Sequence, residues 1–209
     1  MKKNTSTASS LTDASIDTGE AAVDAILNFF LKNEIDEDFM ELASELPLIK
    51  YGVAAYKIKG MFFTTKVGAY IRALRYEKDF DKEKMLKFIN EHGSEKVAEC
   101  VVTQIDRARH ISQVAIQANL LKATVLNKIS WDRFVSLCDA VEKLSEPDIF
   151  SDDGVNSYPG ASYVSSGLCY AYTAIENGEY KGMKTAHNGN FYNDFWEFGL
   201  KPARDSGDI

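Results

Sequence analysis

From Glu95 to Asn127 the chain runs for thirty-three residues without a proline or a glycine. Within this run Val97, Cys100, Val101, Ile105, Ala108, Ile111, Val114, Ala115, Ala118, Leu121 and Leu126 recur at three- and four-residue steps. That spacing puts one apolar stripe along one side of a helix, which must be covered by other apolar surface. The run therefore predicts one long helix and a mainly α protein built around it.

The flanking segments read the same way. Ala22, Val23, Ile26, Leu27 and Phe30 share a helical face, and a second helix over 36–46 turns Phe39, Met40, Leu42 and Ala43 inward before Pro47 stops it. Residues 48–76 have no single polar face, because Lys50, Lys57, Arg72 and Arg75 fall opposite Lys59 and Lys66, so a break is expected at Gly60. An amphipathic segment over 81–91 ends at His92-Gly93-Ser94, a stop followed by a new cap. After the long helix, Ser130 reads as the N-cap of a helix reaching Leu144 and ending in Ser145-Glu146-Pro147. Ile129 and Phe134 lie at the offsets of a hydrophobic staple around that cap.

Beyond Phe150 the pattern changes. Ser151 to Gly160 is turn-rich, and two strand-like runs, 168–175 and 180–186, flank Glu176-Asn177-Gly178-Glu179. Asn-Gly between such runs predicts a hairpin with Tyr170 and Tyr172 on one face and Ala171 and Thr173 on the other. A turn at Asn188-Gly189 leads to a short helix over 191–200 and a frayed tail. The expected organisation is a disordered Ser/Thr/Asp-rich leader over 1–18, a bundle of five or six helices over 19–150, and a small α+β appendage over 151–209 with one hairpin and one short helix.

Charge is unevenly spread. Residues 1–46 carry 3 Lys/Arg and 10 Asp/Glu, residues 47–87 carry 10 and 4, and residues 88–209 carry 11 and 17. The basic segment offers Lys50, Lys57, Lys59, Lys66, Arg72 and Arg75 as candidate contacts for an anionic surface, with Tyr51, Tyr56, Phe62, Phe63 and Tyr70 beside them. Three readings are open: internal pairing with the acidic N-terminal helices, peripheral contact with an anionic membrane, or contact with nucleic acid. The last fits least, since residues 151–209 carry 4 Lys/Arg against 8 Asp/Glu.

Several chemistries lack their residues. No GxxxxGK[ST], GxGxxG, GxSxG or HExxH occurs. His92, His110 and His187 are far apart, and the acidic cluster of Glu34, Asp36, Glu37, Asp38, Glu41 and Glu45 lacks the glycine and alternating ligands of a calcium loop. Neither a metal nor another cofactor is expected, nor a catalytic constellation. Cys100, Cys138 and Cys169 form no CxxC pair and sit among apolar neighbours, as structural thiols in a reducing compartment do. The polar stretch from Asn4 to Ser10 replaces the apolar core of a signal peptide, and no window approaches the roughly 18–20 uncharged apolar residues of a spanning helix. A cytoplasmic protein, peripheral to the inner membrane at most, is the expectation.

Leu46-Pro47-Leu48-Ile49, Phe88-Ile89, Gln104-Ile105-Asp106-Arg107, Asn127 to Phe134 and Ser165-Ser166-Gly167-Leu168 together resemble a family of uncharacterised helical bacterial proteins often met in prophages and mobile elements. The resemblance spans about residues 46–200 and rests on apolar spacing. It implies a shared fold, and by genomic company a non-enzymatic interaction or effector protein of a bacterial or phage conflict system, partnered by another protein or by itself. The alternative is a regulatory nucleic-acid-binding module that uses the C-terminal hairpin as a wing.

Replacing Ser130 by Ala is expected to cost on the order of 1 kcal/mol in chemical denaturation, because one helix N–H loses its acceptor. An unchanged midpoint would remove Ser130 from the cap.

Overall fold

A computed structural model describes residues 60–75, 82–151 and 161–209. The expected leader, the helices over 20–30 and 36–46, and most of the 151–160 linker lie outside the described residues. The described chain is mainly helical with one C-terminal hairpin. Its helices are α1 (Gly60–Arg75), α2 (Lys82–His92), α3 (Ser94–Arg107), α4 (Ile111–Val125), α5 (Trp131–Glu142), α6 (Glu146–Phe150) and α7 (Ala161–Ser165). Strands β1 (Cys169–Glu176) and β2 (Glu179–His187) follow, then α8 (Gly189–Phe195), a π-helical turn over Trp196–Leu200, and α9 (Lys201–Asp205).

Two compact units divide the described residues. One takes in 60–68 and 86–103, the other 69–75, 82–85, 104–151 and 161–209. In the first, α2 stops at Gly93, whose φ of 87° is left-handed backbone that favours glycine, and the carbonyl of Gly93 accepts from Val97 N at 3.1 Å to start α3. Phe88, Ile89, Val97, Ala98, Val101 and Val102 are buried there, and the His92 ring lies 4.4 Å from that of Phe88.

The second unit is organised around α4, in which every residue from Ser112 to Val125 is buried. A helix buried all round keeps Gln113, Gln117, Asn119, Lys122 and Thr124 from water, so their partners must come from within the protein where they have them. Thr124 Oγ1 donates back to the carbonyl of Leu120 at 2.8 Å. Gln113 reaches further. Its Nε2 donates to the carbonyls of Leu144 at 2.8 Å, Val141 at 3.1 Å and Glu142 at 3.3 Å, covering acceptors at the end of α5 and just past it.

The thirty-three-residue helix expected over 95–127 is instead two helices, broken at Ala108-Arg109-His110. His110 is extended (φ −130°, ψ 150°), and the Oε1 of Gln113 accepts from Arg109 N at 2.7 Å and His110 N at 3.3 Å. One carboxamide thus takes up N–H groups freed by the break and, through its other end, the last carbonyls of α5. Arg107–Glu142 (3.9 Å) flanks it as a partly exposed ion pair, which contributes little by itself, and His110 Nδ1 lies 3.4 Å from Glu146 Oε2.

Elsewhere the caps follow local chemistry. Helix α4 ends in a Schellman motif, with Lys128 N donating to Ala123 O at 2.8 Å and Asn127 N to Thr124 O at 2.9 Å, and Asn127 at φ 55°. Ser130 Oγ accepts from Arg133 N at 3.2 Å, and Ile129 and Phe134 are both buried around that cap. Helix α5 ends at Glu142 rather than Leu144, and Ser145-Glu146-Pro147 opens a helix instead of only closing one. Ser145 caps α6 by accepting from Asp148 N at 3.4 Å, and Pro147 stands in the first turn, where no N–H is needed.

The expected frayed tail is helical to Asp205. The π turn packs on α4 through Gly199, where a Cβ would come within 3.0 Å of Ile116 Cγ2 and 3.2 Å of Leu120. Arg204 fastens this end, donating to the carbonyls of Ile149 (2.8 Å) and Ser151 (3.0 Å) and stacking over Trp196.

Gln113→Leu keeps the volume and removes both ends of the bridge. It is expected to cost about 2–3 kcal/mol in urea denaturation, since the buried carbonyls of Val141 and Leu144 lose their partner. A change under about 0.5 kcal/mol, typical of a surface site, would contradict this role.

Candidate functional site

The hairpin rises from an aromatic base. Tyr163, Leu168, Cys169, Tyr192 and Phe195 are buried, with the Tyr163 ring 6.1 Å from Phe195 and 6.4 Å from Tyr192. The His187 ring, at the end of β2, stacks on Tyr192 at 3.7 Å and 7°. Asn188 closes the neck, its backbone N donating to Leu168 O and its Nδ2 to Gly167 O, each at 2.9 Å. Burial pushes the Cys169 thiol up from its ordinary 9.0 to about 11 and the Tyr192 hydroxyl up from 10.0 to about 12, and it raises Tyr163 above the tyrosine range. These groups are therefore neutral and inert at neutral pH. Cys138 is buried too, and Cys100 is half-buried.

Past this base the hairpin stands in solvent. It turns at Asn177-Gly178, with φ 53° and 84°, the pair of left-handed residues that a two-residue hairpin turn requires. Cys169 pairs with His187, Tyr170 with Ala186 and Tyr172 with Lys184. The register slips by one residue between Thr173 and Ile175, where β2 carries Gly182 at φ 94°. Tyr170 and Tyr172 lie together on one face, ring centroids 6.2 Å apart, while Thr173, paired with Met183, and Ile175, paired with Tyr180, lie on the other. All five large side chains are exposed, Ile175 by 66% and Tyr180 by 68%.

The two edges of this ribbon differ. Strand β2 carries Lys181, Lys184 and the Gly182 bulge, devices that discourage a further strand. From Cys169 to Ile175, β1 has no charge, proline, glycine or bulge, and no third strand pairs with it among the described residues. The lysines are also neutralised in place, Lys181 by Glu179 at 2.8 Å and Lys184 by Glu176 at 3.0 Å. As a wing for nucleic acid the hairpin offers no net positive charge.

The six candidate cations are not assembled among the described residues. Lys50, Lys57 and Lys59 lie outside them, Arg72 is exposed and Arg75 ends α1. Lys66 is only 4% exposed, and Phe63 and Tyr70, read as aromatic neighbours of an anionic surface, are buried as well. Positions 63, 66, 67, 70, 73 and 74 fall on one helical face, so Lys66 shares the apolar stripe and cannot share a surface with Arg72. Among the described residues no helix is long and apolar enough to cross a membrane, and no group of three or more His, Cys, Asp or Glu could hold a metal ion.

One concavity was not foreseen from the sequence. A cleft of about 310 Å³ is lined by the last turns of α4, the Schellman turn, the π turn and α9. Its polar residues, Asn119, Lys122, Lys128, Glu197, Lys201 and Asp205, are scattered along the chain.

Comparison with protein-family models, with curated proteins and with solved structures returns no match to this chain.

The raised Cys169 and Tyr192 values fix the sign of an alkaline effect. Because the folded state holds these protons more tightly, the stability they confer is complete below pH 9 and is lost as pH rises through about 11 and 12. Urea midpoints are expected to fall from pH 9 upward, and less steeply in Tyr192→Phe. A flat profile to pH 11 would contradict the burial of this base.

Proposed function

We propose that this chain is an interaction protein that takes up an extended segment of another protein along the free edge of β1. One observation carries the reading: an uncharged strand edge, flanked on both faces by exposed Tyr170, Tyr172, Ile175, Tyr180 and Met183, on a hairpin whose own charges are internally paired. A two-stranded ribbon is marginally stable alone in water, and an added strand supplies both backbone hydrogen bonds and cover for the aromatics. The partner implied by this chemistry is an uncharged, β-prone segment with alternating apolar side chains. In the phage or bacterial conflict setting that the sequence resemblance implies, such a protein acts by occupying its target rather than by transforming it.

The test is peptide selection from a random displayed library against the full chain, followed by titration of a synthetic winner. Extended, uncharged peptides are expected, with backbone contacts along β1. Tyr172→Lys and Ile175→Lys, both at exposed positions, are each expected to weaken binding about tenfold or more. Winners that bind both variants as tightly as the parent would refute the site. A concentration-dependent dimer abolished by the same substitutions would replace the partner strand with a second copy of this chain.

A further inference from the structure

We infer that Asn177, at the tip of the hairpin, is a self-modification site, whose carboxamide is attacked by the backbone amide of Gly178 and converted, one way, to aspartate and isoaspartate. The sequence holds two Asn-Gly pairs, Asn177-Gly178 and Asn188-Gly189. A glycine nitrogen is the easiest for a preceding side chain to reach, because no Cβ stands beside it. At the tip nothing else hinders the approach: both residues are exposed, and the position a Gly178 Cβ would take has no atom within 4 Å. Among the described residues the Asn177 carboxamide makes no hydrogen bond and the Gly178 N–H has no acceptor. An exposed N–H without an acceptor is open to hydroxide.

The step balances with water alone. Hydroxide takes the Gly178 amide proton, the nitrogen bonds to Asn177 Cγ, and the Cγ–Nδ2 bond breaks to release ammonia and leave a cyclic imide. Water then opens the imide. Attack at Cγ restores the ordinary main chain with aspartate at 177, whereas attack at the main-chain carbonyl carbon leaves isoaspartate, with an extra carbon in the backbone. Either product adds a carboxylate between Glu176 and Glu179, whose lysines, Lys184 and Lys181, are already engaged at 3.0 Å and 2.8 Å, so the new charge is unbalanced. The isoaspartate form also lengthens a turn whose left-handed residues, at φ 53° and 84°, set the pairing of Glu176 with Glu179. Two other asparagines are guarded. Asn188 Nδ2 donates to Gly167 O at 2.9 Å, which holds that carboxamide at the neck of the hairpin. Asn127 shares the left-handed backbone, at φ 55°, but the nitrogen that would attack it, Lys128 N, donates to Ala123 O at 2.8 Å. The chemistry lies within the turn and does not depend on the docking reading.

The test holds the folded full chain in mildly alkaline buffer and follows each asparagine over time by peptide mass mapping, with isoaspartate told from aspartate by its fragmentation. Asn177 is expected to convert at least about tenfold faster than Asn188 and to yield isoaspartate, the mark of the imide route, while in urea the two rates draw together because the dipeptides are the same. The isoaspartate chain, once separated, is expected to lose the cross-strand NMR contacts between Glu176 and Glu179, which Asn177→Asp keeps. The site is refuted if Asn177 in the folded chain lasts as long as Asn188, if its product contains no isoaspartate, or if the two rates differ as much in urea as in the folded state. Unchanged Glu176–Glu179 contacts in the isoaspartate chain would overturn the effect on the turn.

Discussion

The carboxamide of Gln113 ties together three pieces of chain that would otherwise end in unpaired backbone. Its oxygen takes the amides of Arg109 and His110, and its nitrogen takes three carbonyls at and beyond the end of α5. Because Gln113 and the residues Val141 and Leu144 are buried, those two carbonyls have no water as an alternative. The break before α4, the position of the end of α5 and the start of the Ser145 turn therefore stand or fall together. The last turns of the chain are then laid against α4, the π turn through Gly199 and α9 beside it, with Arg204 reaching across to carbonyls at the end of α6 and just past it.

A fully enclosed α4 explains why polar chemistry collects at its far end. Gln113 and Thr124 are satisfied by backbone, and Lys122 donates to the Oδ1 of Asn119 one turn earlier. The hairpin shows the opposite economy. Its base is locked by the stack of His187 on Tyr192 and by Asn188, whereas from Tyr170 outward the ribbon has solvent on both faces over most of its length. A rigid foot under an exposed uncharged edge suits strand addition, since little order is lost when the partner arrives.

The elements legible in the sequence were those whose cause is local. Asn177-Gly178 dictates a hairpin turn by its backbone preferences, Ser130 caps its own helix, and Gly93 stops α2, each within a few residues. The break at Ala108–His110 was illegible because its cause lies far away: the acceptors of Gln113 are 28 to 31 residues downstream, and neither glycine nor proline marks the place. Ser145-Glu146-Pro147 reads equally well as a stop or a start, and only the covering of α5's carbonyls by Gln113 makes it both. The cleft escaped notice because Asn119, Lys128, Phe198 and Lys201 meet only after the C-terminal helices fold back. One signal was present, the polar residues Asn119 and Lys122 three apart in α4. The basic segment misled in the other direction, since a list of cations does not say which of them, like Lys66, lies on the stripe that is buried.

The central claim is that a core fastened at Gln113 carries a hairpin with an open edge, and residue-resolved hydrogen exchange on the full chain at neutral pH measures both halves at once. The account predicts that the amides of Arg109 and His110 exchange as slowly as those of the α4 core, while the β1 amides that do not face β2 exchange near the rate of unprotected chain. Fast exchange at Arg109 and His110, or core-like protection along the outer edge of β1, would contradict it.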